Sequence, residues 1–415
     1  MRVLAIGTSY PKGPDDSTAP FVRSISHGLQ DYGIEVHLLL PYHPDLDWPS
    51  GDPPVQLHTY PYVRRSWRRL HVWGYAGSLR SDVALRGEAL AILPLAAASS
   101  LIHLQRLARR LKPALIHAHW LLPNAPLAAI VSRRTGIPLA ISLHGSGAFM
   151  AERYRVLARA ARFALRRASA VTACSRDLAS RVEALGASAE SVFVIPYGVD
   201  TAEFRPASES LRAKAKASLG AGPETFLVLA VGRLVAKKGF EFLIRAMPSL
   251  NGGHELPLLI IAGAGDLEQE LRQLARSLQV SERVRFMGDT DRQRILELYR
   301  AADVLAVPSI HDAAGNVDGL PNVVLEGLAS GLPIVASSIA GIPDVIQHEE
   351  NGLLVPEQHP EALATALRRL ASQPDFRQFL GQHGRQVAEE SLNWSSITGR
   401  YAEVLRRAAR GTTRA

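Results

Sequence analysis

VLAVPSIHDAAGNVDGLPNVVLEGLASGLPIVAS, residues 304–337, reads as a strand, a polar loop, an apolar helix and a second strand. VLAVPS and PIVAS are apolar runs of strand length, while Val324, Leu325 and Leu328 recur at helical spacing. Strands joined through a helix run parallel, and parallel sheets are covered by helices on both faces. Within this stretch Asp318 and Glu326 stand eight positions apart, in a segment otherwise fit for burial.

The same alternation runs outward in both directions. Strands are expected at 2–7, 35–40, 114–120, 138–145, 170–175 and 191–196, and again at 226–233, 257–266, 283–288, 304–309, 333–337 and 352–356. Between the two series lies residues 197–224, rich in turn residues and charge, the expected hinge. The fold class expected is therefore α/β, with two Rossmann-like domains: an N-terminal one over 1–197 and a C-terminal one over 198–390. A terminal helix at 394–409 follows the second sheet and is free to pack back on the first domain. Ligands of such sheets lie at the carboxyl ends of the strands, in a cleft between the domains, so function is sought in the loops after strands.

Composition agrees with this size of molecule. A chain of 415 residues with 47% hydrophobic content is too long for one core and too apolar to be disordered. The formal charge of +8 favours anionic partners such as nucleotides or acidic lipid. One cysteine, Cys174, excludes an internal disulfide framework and fits a reducing cytosol. The chain opens directly as a strand, MRVLAIG, without a secretory leader, so a cytoplasmic location is expected. ALAILPLAAASSLI, 89–102, is shorter than the roughly 20 residues that span a bilayer and is expected as a buried helix.

Four loops carry chemistry. In GRLVAKKG, 232–239, Arg233 and Lys238 flank a helix start, an arrangement suited to a diphosphate; a solvated basic turn is the bland alternative. In IAGAGD, 261–266, Gly263 and Gly265 lack the third glycine of the dinucleotide fingerprint, which disfavours a nicotinamide cofactor and favours tight turning. Met287 and Gly288 end another strand, where a nucleobase can lie or a methionine can simply fill core. In DGLPN, Asp318 sits ahead of the helix opened by Pro321, and Asn322, Glu326 and Ser330 form a second strip on that helix. A carboxylate is the usual partner of a ribose diol; the alternative is a dipole-complementing acid and a solvent-facing glutamate.

With HAHW, SLHGS, ACSRDL, VIPYGVD, GRL…KKG, IAGAGD, VRFMGD, ADVLAVPS, DGLPNVVLEGLASGLPIVAS, GIPDVI and NGLLVP in this order, the chain resembles retaining glycosyltransferase family four, of the GT-B architecture. The resemblance implies that Glu326 binds the ribose of a nucleotide-sugar donor and that Asp318, where the family has a glutamate, touches the sugar. It implies that Arg233 and Lys238 bind the diphosphate, that His144 lies near the donor sugar, and that Gly319, Leu320, Pro321 and Asn322 form the loop beneath sugar and phosphate. Gly263, Met287 and Gly288 fall on the donor side. The glycine pair that many members carry after the first strand is replaced by SYPKGPDDSTAPF, so Gly13, Ser17 and His119 are the candidates for acceptor or phosphate contact. Related members often have an acid where this chain has Gly147.

The function expected from the resemblance is transfer of a sugar from a nucleoside diphosphate to a hydroxyl of a glycan, lipid-linked or small-molecule acceptor, with retention and without cofactor or metal. Growing charge on the departing diphosphate is met by cations, the dominant electrostatic requirement. Asp45-Leu46-Asp47 reads as a solvated turn, and His117 with His119 as strand-end histidines that become zinc ligands only if others converge. The basic, Trp-containing 62–75 segment suits an anionic membrane surface or a flexible loop; no nucleic-acid recognition motif accompanies the charge. A nucleotide-sugar epimerase and a non-catalytic binding protein remain as rival classes.

Overall fold

The computed structural model describes residues 1–13, 16, 18–48, 52–75, 79–81, 84–85, 87–250 and 256–411. The chain divides into two compact units, Met1–Pro196 with Trp394–Ala415, and Tyr197–Asn393.

The first unit holds a parallel sheet of seven strands: β1 Arg2–Ile6, β2 Glu35–Pro41, β3 Gln56–Tyr60, β6 Leu115–His119, β7 Leu139–Leu143, β8 Ala170–Ala173 and β9 Val192–Val194. Between β3 and β6 come two short paired strands, β4 Leu79–Ser81 and β5 Ala84–Leu85. The sheet order is β3-β2-β1-β6-β7-β8-β9. The helices are α1 Pro20–Gly28, α2 Gly87–Leu111, α3 Asn124–Thr135, α4 Ser146–Arg153, α5 Arg155–Arg167 and α6 Arg176–Ala184. β2, β6 and β7 are buried almost throughout, as strands covered on both faces must be. β3 escapes the sequence pattern because it is an edge strand, QLHTY, whose middle residues are only partly buried. The terminal helix, Trp394–Arg410, buries Ile397, Tyr401 and Leu405 in the same core as β1 and β2.

Residues 89–102 correct the expectation of a buried helix. They belong to α2, 25 residues long, whose buried positions Ala89, Ile92, Ala96, Ser100 and Leu104 make one stripe. Leu90, Leu95 and Ile102 face outward, 56%, 59% and 48% exposed. The helix is apolar on both faces, and composition cannot separate the packed face from the open one.

The second unit repeats the plan with six parallel strands: β10 Leu227–Val231, β11 Leu258–Ala262, β12 Val284–Phe286, β13 Val304–Val307, β14 Ile334–Ser337 and β15 Leu353–Val355, ordered β12-β11-β10-β13-β14-β15. Its helices are α7 Glu209–Ser218, α8 Phe240–Ala246, α9 Glu268–Ser277, α10 Arg292–Ala301, α11 Asn322–Ala329, α12 Pro360–Ser372 and α13 Pro374–Ser391; the terminal helix is α14. Asp291 caps α10 by accepting from the Arg294 amide, which fixes where that helix starts after β12. On α11, Val324, Leu325 and Leu328 are buried as their spacing predicts. Gly327 lets this helix lie close on the sheet, since a Cβ there would stand 2.6 Å from Leu305 Cδ2.

Candidate active site

In the second unit the carboxyl ends of β10, β11, β12 and β13 lie along one sheet edge, and the loops leaving them interlock. Gly263 is at φ +134°, and a Cβ on it would lie 2.0 Å from the Gly232 carbonyl. Its amide donates to the Gly288 carbonyl at 2.8 Å, while Leu234 N donates to Ala264 O at 3.0 Å. The glycines of IAGAGD thus serve close approach of backbone to backbone, and they hold Arg233 on an exposed loop beside Gly263. Met287 is only partly buried, its amide tied to Ile261 O at 2.9 Å.

The KKG turn is stapled to the exit of β13. Gly239, at φ +64°, packs where a Cβ would meet Pro308 O at 1.9 Å, and Ile310 N donates to Lys237 O at 2.9 Å. This brings two ammonium groups to one carboxylate. Lys237 Nζ lies 2.7 Å from Asp318 Oδ1 and Lys238 Nζ lies 2.6 Å from Asp318 Oδ2. The two lysines overcome the cost of burial and hold the Asp318 carboxyl well below its ordinary range. Gly319 accepts from Gly341 N at 2.9 Å, and Leu320 and Pro321 are buried, so the DGLPN loop is held by its own backbone.

Glu326 sits one turn into α11. Tyr299 of α10 donates its hydroxyl to Glu326 Oε2 at 2.8 Å, and Arg292 Nη1 lies 3.7 Å from Oε1. Arg292 is itself paired with Glu203. Burial pushes the Glu326 carboxyl up, opposed by the Tyr299 hydrogen bond and by the positive charges of Arg292 and Lys238. Glu326 is thus a constrained acceptor, oriented by a phenol rather than left to solvent.

In the first unit, His119 closes β6 and His144 follows β7, and the sheet register brings their rings together, Nδ1 of His119 to Nε2 of His144 at 3.1 Å. Phe21 and Trp120 pack on His144 with ring centroids at 4.5 and 5.0 Å. His117 meets Ser142 Oγ at 2.7 Å. Among the described residues no group of three or more His, Cys, Asp or Glu is placed to hold a metal ion. Gly147 has no room for a larger residue, because a Cβ would lie 2.9 Å from Leu122 N, so the acid common in related chains does not fit this backbone. Gly13 lies in a turn where Asp16 accepts from Lys12 N and its own amide donates to Gly13 O; Ser17 lies outside the described residues. Asp45 meets Arg68 at 3.3 Å.

The structure thus gathers Lys238 with Asp318, Gly263 with Gly288, and His119 with His144. Sequence reasoning missed Lys237, Tyr299 and Arg292. Lys237 was legible in the doubled lysine, but Tyr299 and Arg292 sit in RQRILELYRA, which reads as an ordinary amphipathic helix.

The sequence profile described as glycosyl transferases group 1 matches residues 212–387, and that of the glycosyl transferase 4-like domain matches 18–198. The chain is 35% identical over 180 residues to an uncharacterized glycosyltransferase of Methanocaldococcus jannaschii, covering 43% of this chain and 44% of that one. It is 32% identical over 305 residues to a GDP-mannose-dependent alpha-(1-6)-phosphatidylinositol monomannoside mannosyltransferase of Mycolicibacterium smegmatis, covering 71% of this chain and 78% of that one. The match thus spans less than half the length of the archaeal relative. Among solved structures, HepE of Anabaena in complex with UDP shares the fold, with a TM-score of 0.75 at 21% identity over 98% of this chain and 100% of that one.

Proposed function

The chain belongs to the glycosyl transferases group 1 family, and from that premise we propose that it moves a sugar from a nucleoside-diphosphate donor to an acceptor hydroxyl, keeping the anomeric configuration. The observation that carries this reading is the pairing of Lys237 and Lys238 on Asp318, with Lys238 close enough to Glu326 to favour its ionised form. An arriving diphosphate competes with Asp318 for the two ammonium groups, and Arg233 on the neighbouring loop adds a guanidinium. Cations so placed act most strongly when the bond to the sugar breaks, because charge on the diphosphate is then greatest. Glu326, oriented by Tyr299, is the acceptor for the ribose hydroxyls. Asp318, released from the lysines, faces the sugar, and Gly319 to Asn322 lie beneath it; His144 is assigned to the donor sugar by the family resemblance. The two carboxylates act as hydroxyl ligands, so departure and attack occur on one face of the ring, with no metal or cofactor required.

The acceptor proposed is carried at an anionic membrane surface on the cytoplasmic side. In α5, Arg155, Arg159, Arg162 and Arg166 recur at helical spacing and are all exposed, flanked by Val156 at 74% and Phe163 at 37% exposure. The mycobacterial relative is named for a phosphatidylinositol mannoside, an acceptor of this chemistry.

The test is incubation of the full chain with a panel of GDP- and UDP-sugars and lipid extract, the product read by mass spectrometry and its anomeric configuration by NMR. Release of nucleoside diphosphate with transfer and retention supports the reading. Conversion of free nucleotide sugar without acceptor indicates an epimerase, and binding without any turnover indicates a non-catalytic protein.

A further inference from the structure

Glu326 has one carboxylate oxygen in use and one in reserve. Tyr299 donates to Oε2 at 2.8 Å, whereas Oε1 faces Arg292 Nη1 at 3.7 Å, beyond hydrogen-bond reach. A guanidinium this near a carboxylate would ordinarily close on it in a two-bond pair, the strongest geometry open to both. What holds it back lies on another edge of the same guanidinium. Glu203, in a turn ahead of α7, accepts from Arg292 Nε on its Oε1 at 2.8 Å and from Nη2 on its Oε2, which fills the side-on fork.

The guanidinium is also held across its face. Phe204, 2% exposed, has its ring centroid 4.6 Å from Arg292 Cζ and meets the Tyr299 ring edge-on at 5.2 Å. The Phe204 carbonyl accepts from Arg385 Nη1 at 2.8 Å, and Asp200 Oδ1 accepts from the Glu203 amide at 3.0 Å, so the turn that carries both contacts is itself tied down. Burial pushes the Glu326 carboxyl up; the Tyr299 hydrogen bond and the charge of Arg292 oppose this, and the charge of Glu203 adds to it. Arg292 thus acts on Glu326 from a distance and leaves Oε1 uncovered.

We infer that Glu203 is a positioning residue of the donor site: it draws Arg292 into a side-on pair and so keeps Oε1 of Glu326 open for a ribose hydroxyl. The ligand class is a nucleoside diphosphate with an intact ribose diol. The inference rests on Glu326 as the ribose ligand in the function proposed above. Without Glu203 the freed guanidinium turns to Glu326, its other acid partner, and competes with the hydroxyl. Stability does not account for the pair, because the Glu203 and Arg292 side chains are 31% and 55% exposed and ion pairs so open to water add little to a fold.

The experiment is calorimetric titration of the full chain with GDP and with UDP, each compared with its 2′,3′-dideoxy form, which lacks the diol. In Glu203→Ala the affinity for the intact nucleotide should fall about tenfold, the worth of a hydrogen bond to a charged group, while that for the dideoxy form is unchanged. Adding Arg292→Gln to Glu203→Ala removes the competitor and should return most of the lost affinity, a coupling that loss of a structural contact does not produce. Two results overturn the inference alone: a native preference for the diol that survives in Glu203→Ala, or a double variant that binds no better than Glu203→Ala. A native chain that binds the intact and dideoxy forms alike refutes Glu326 as the ribose ligand, and the inference with it. Should Glu203→Ala not fold, Glu203→Gln, which keeps the shape and drops the charge, decides by the same comparison.

Discussion

Lys238 reaches Asp318, eighty residues further along the chain, with Nζ 2.6 Å from Oδ2. The other carboxylate oxygen is taken by buried Lys237 at 2.7 Å, so one acid is shared by two neighbouring cations. Asp318→Ala removes the carboxylate that pairs with buried Lys237 and with Lys238 and is expected to cost about 3 kcal/mol in urea unfolding, in the range for breaking a buried pair. The Asp318 carboxyl is depressed in the folded state. Its stabilising contribution is therefore present above the ordinary aspartate range and is lost as pH falls below about 4. Asp318→Asn should flatten that acid limb of the stability profile.

Nucleoside diphosphates should raise the melting temperature of the full chain, since a ligand at 100 times its dissociation constant adds about 2.7 kcal/mol to the folded state. Lys238→Ala and Glu326→Ala should each abolish most of the shift. Undiminished shifts in both variants would refute the donor site.

Glu326 separates binding from stability. Its carboxyl is raised by burial, so ionising it costs stability as pH rises through the folded value. Glu326→Gln keeps an acceptor for Tyr299 and removes a buried charge. The expected result is unchanged or increased stability at pH 8 with donor affinity lowered about tenfold or more, the worth of a hydrogen bond to a charged group. Tyr299→Phe removes the bond that pulls the carboxyl down, so the acid limb of kcat/KM should move to higher pH.

Two glycines with positive φ should respond differently to alanine. Gly263→Ala drives a Cβ to 2.0 Å from the Gly232 carbonyl and must part the two loops, whereas Gly288 at φ +66° has no atom within 4 Å of its Cβ position. Gly288→Ala should cost about 1 kcal/mol, the left-handed penalty alone, and Gly263→Ala clearly more, measured by urea unfolding.

Charge reversal on α5, Arg159→Glu with Arg162→Glu, should weaken sedimentation with anionic vesicles by about 1 kcal/mol per charge removed. Retention should also fall as salt rises, and neutral vesicles should not retain the native chain. Retention unaffected by the reversal would rule out this helix as the docking face.

Much of this molecule is written locally. Apolar runs such as VLAVPS and LLIIA read as strands buried on both faces, and their alternation with helices points to parallel sheets. The spacing of Val324, Leu325 and Leu328 sets the buried face of α11, and the order of the motifs along the chain marks the family. β3 and the open face of α2 were not legible, because an edge strand of mixed polarity and a helix apolar all round carry no periodic signal. Tertiary structure alone decided the partners. Which acid takes Lys237, which phenol orients Glu326 and which ring His119 meets depend on strand register and loop closure across 25 to 81 residues of sequence separation. A local pattern specifies which residue types can be buried, whereas the electrostatics of a site depend on distances that only the folded chain sets.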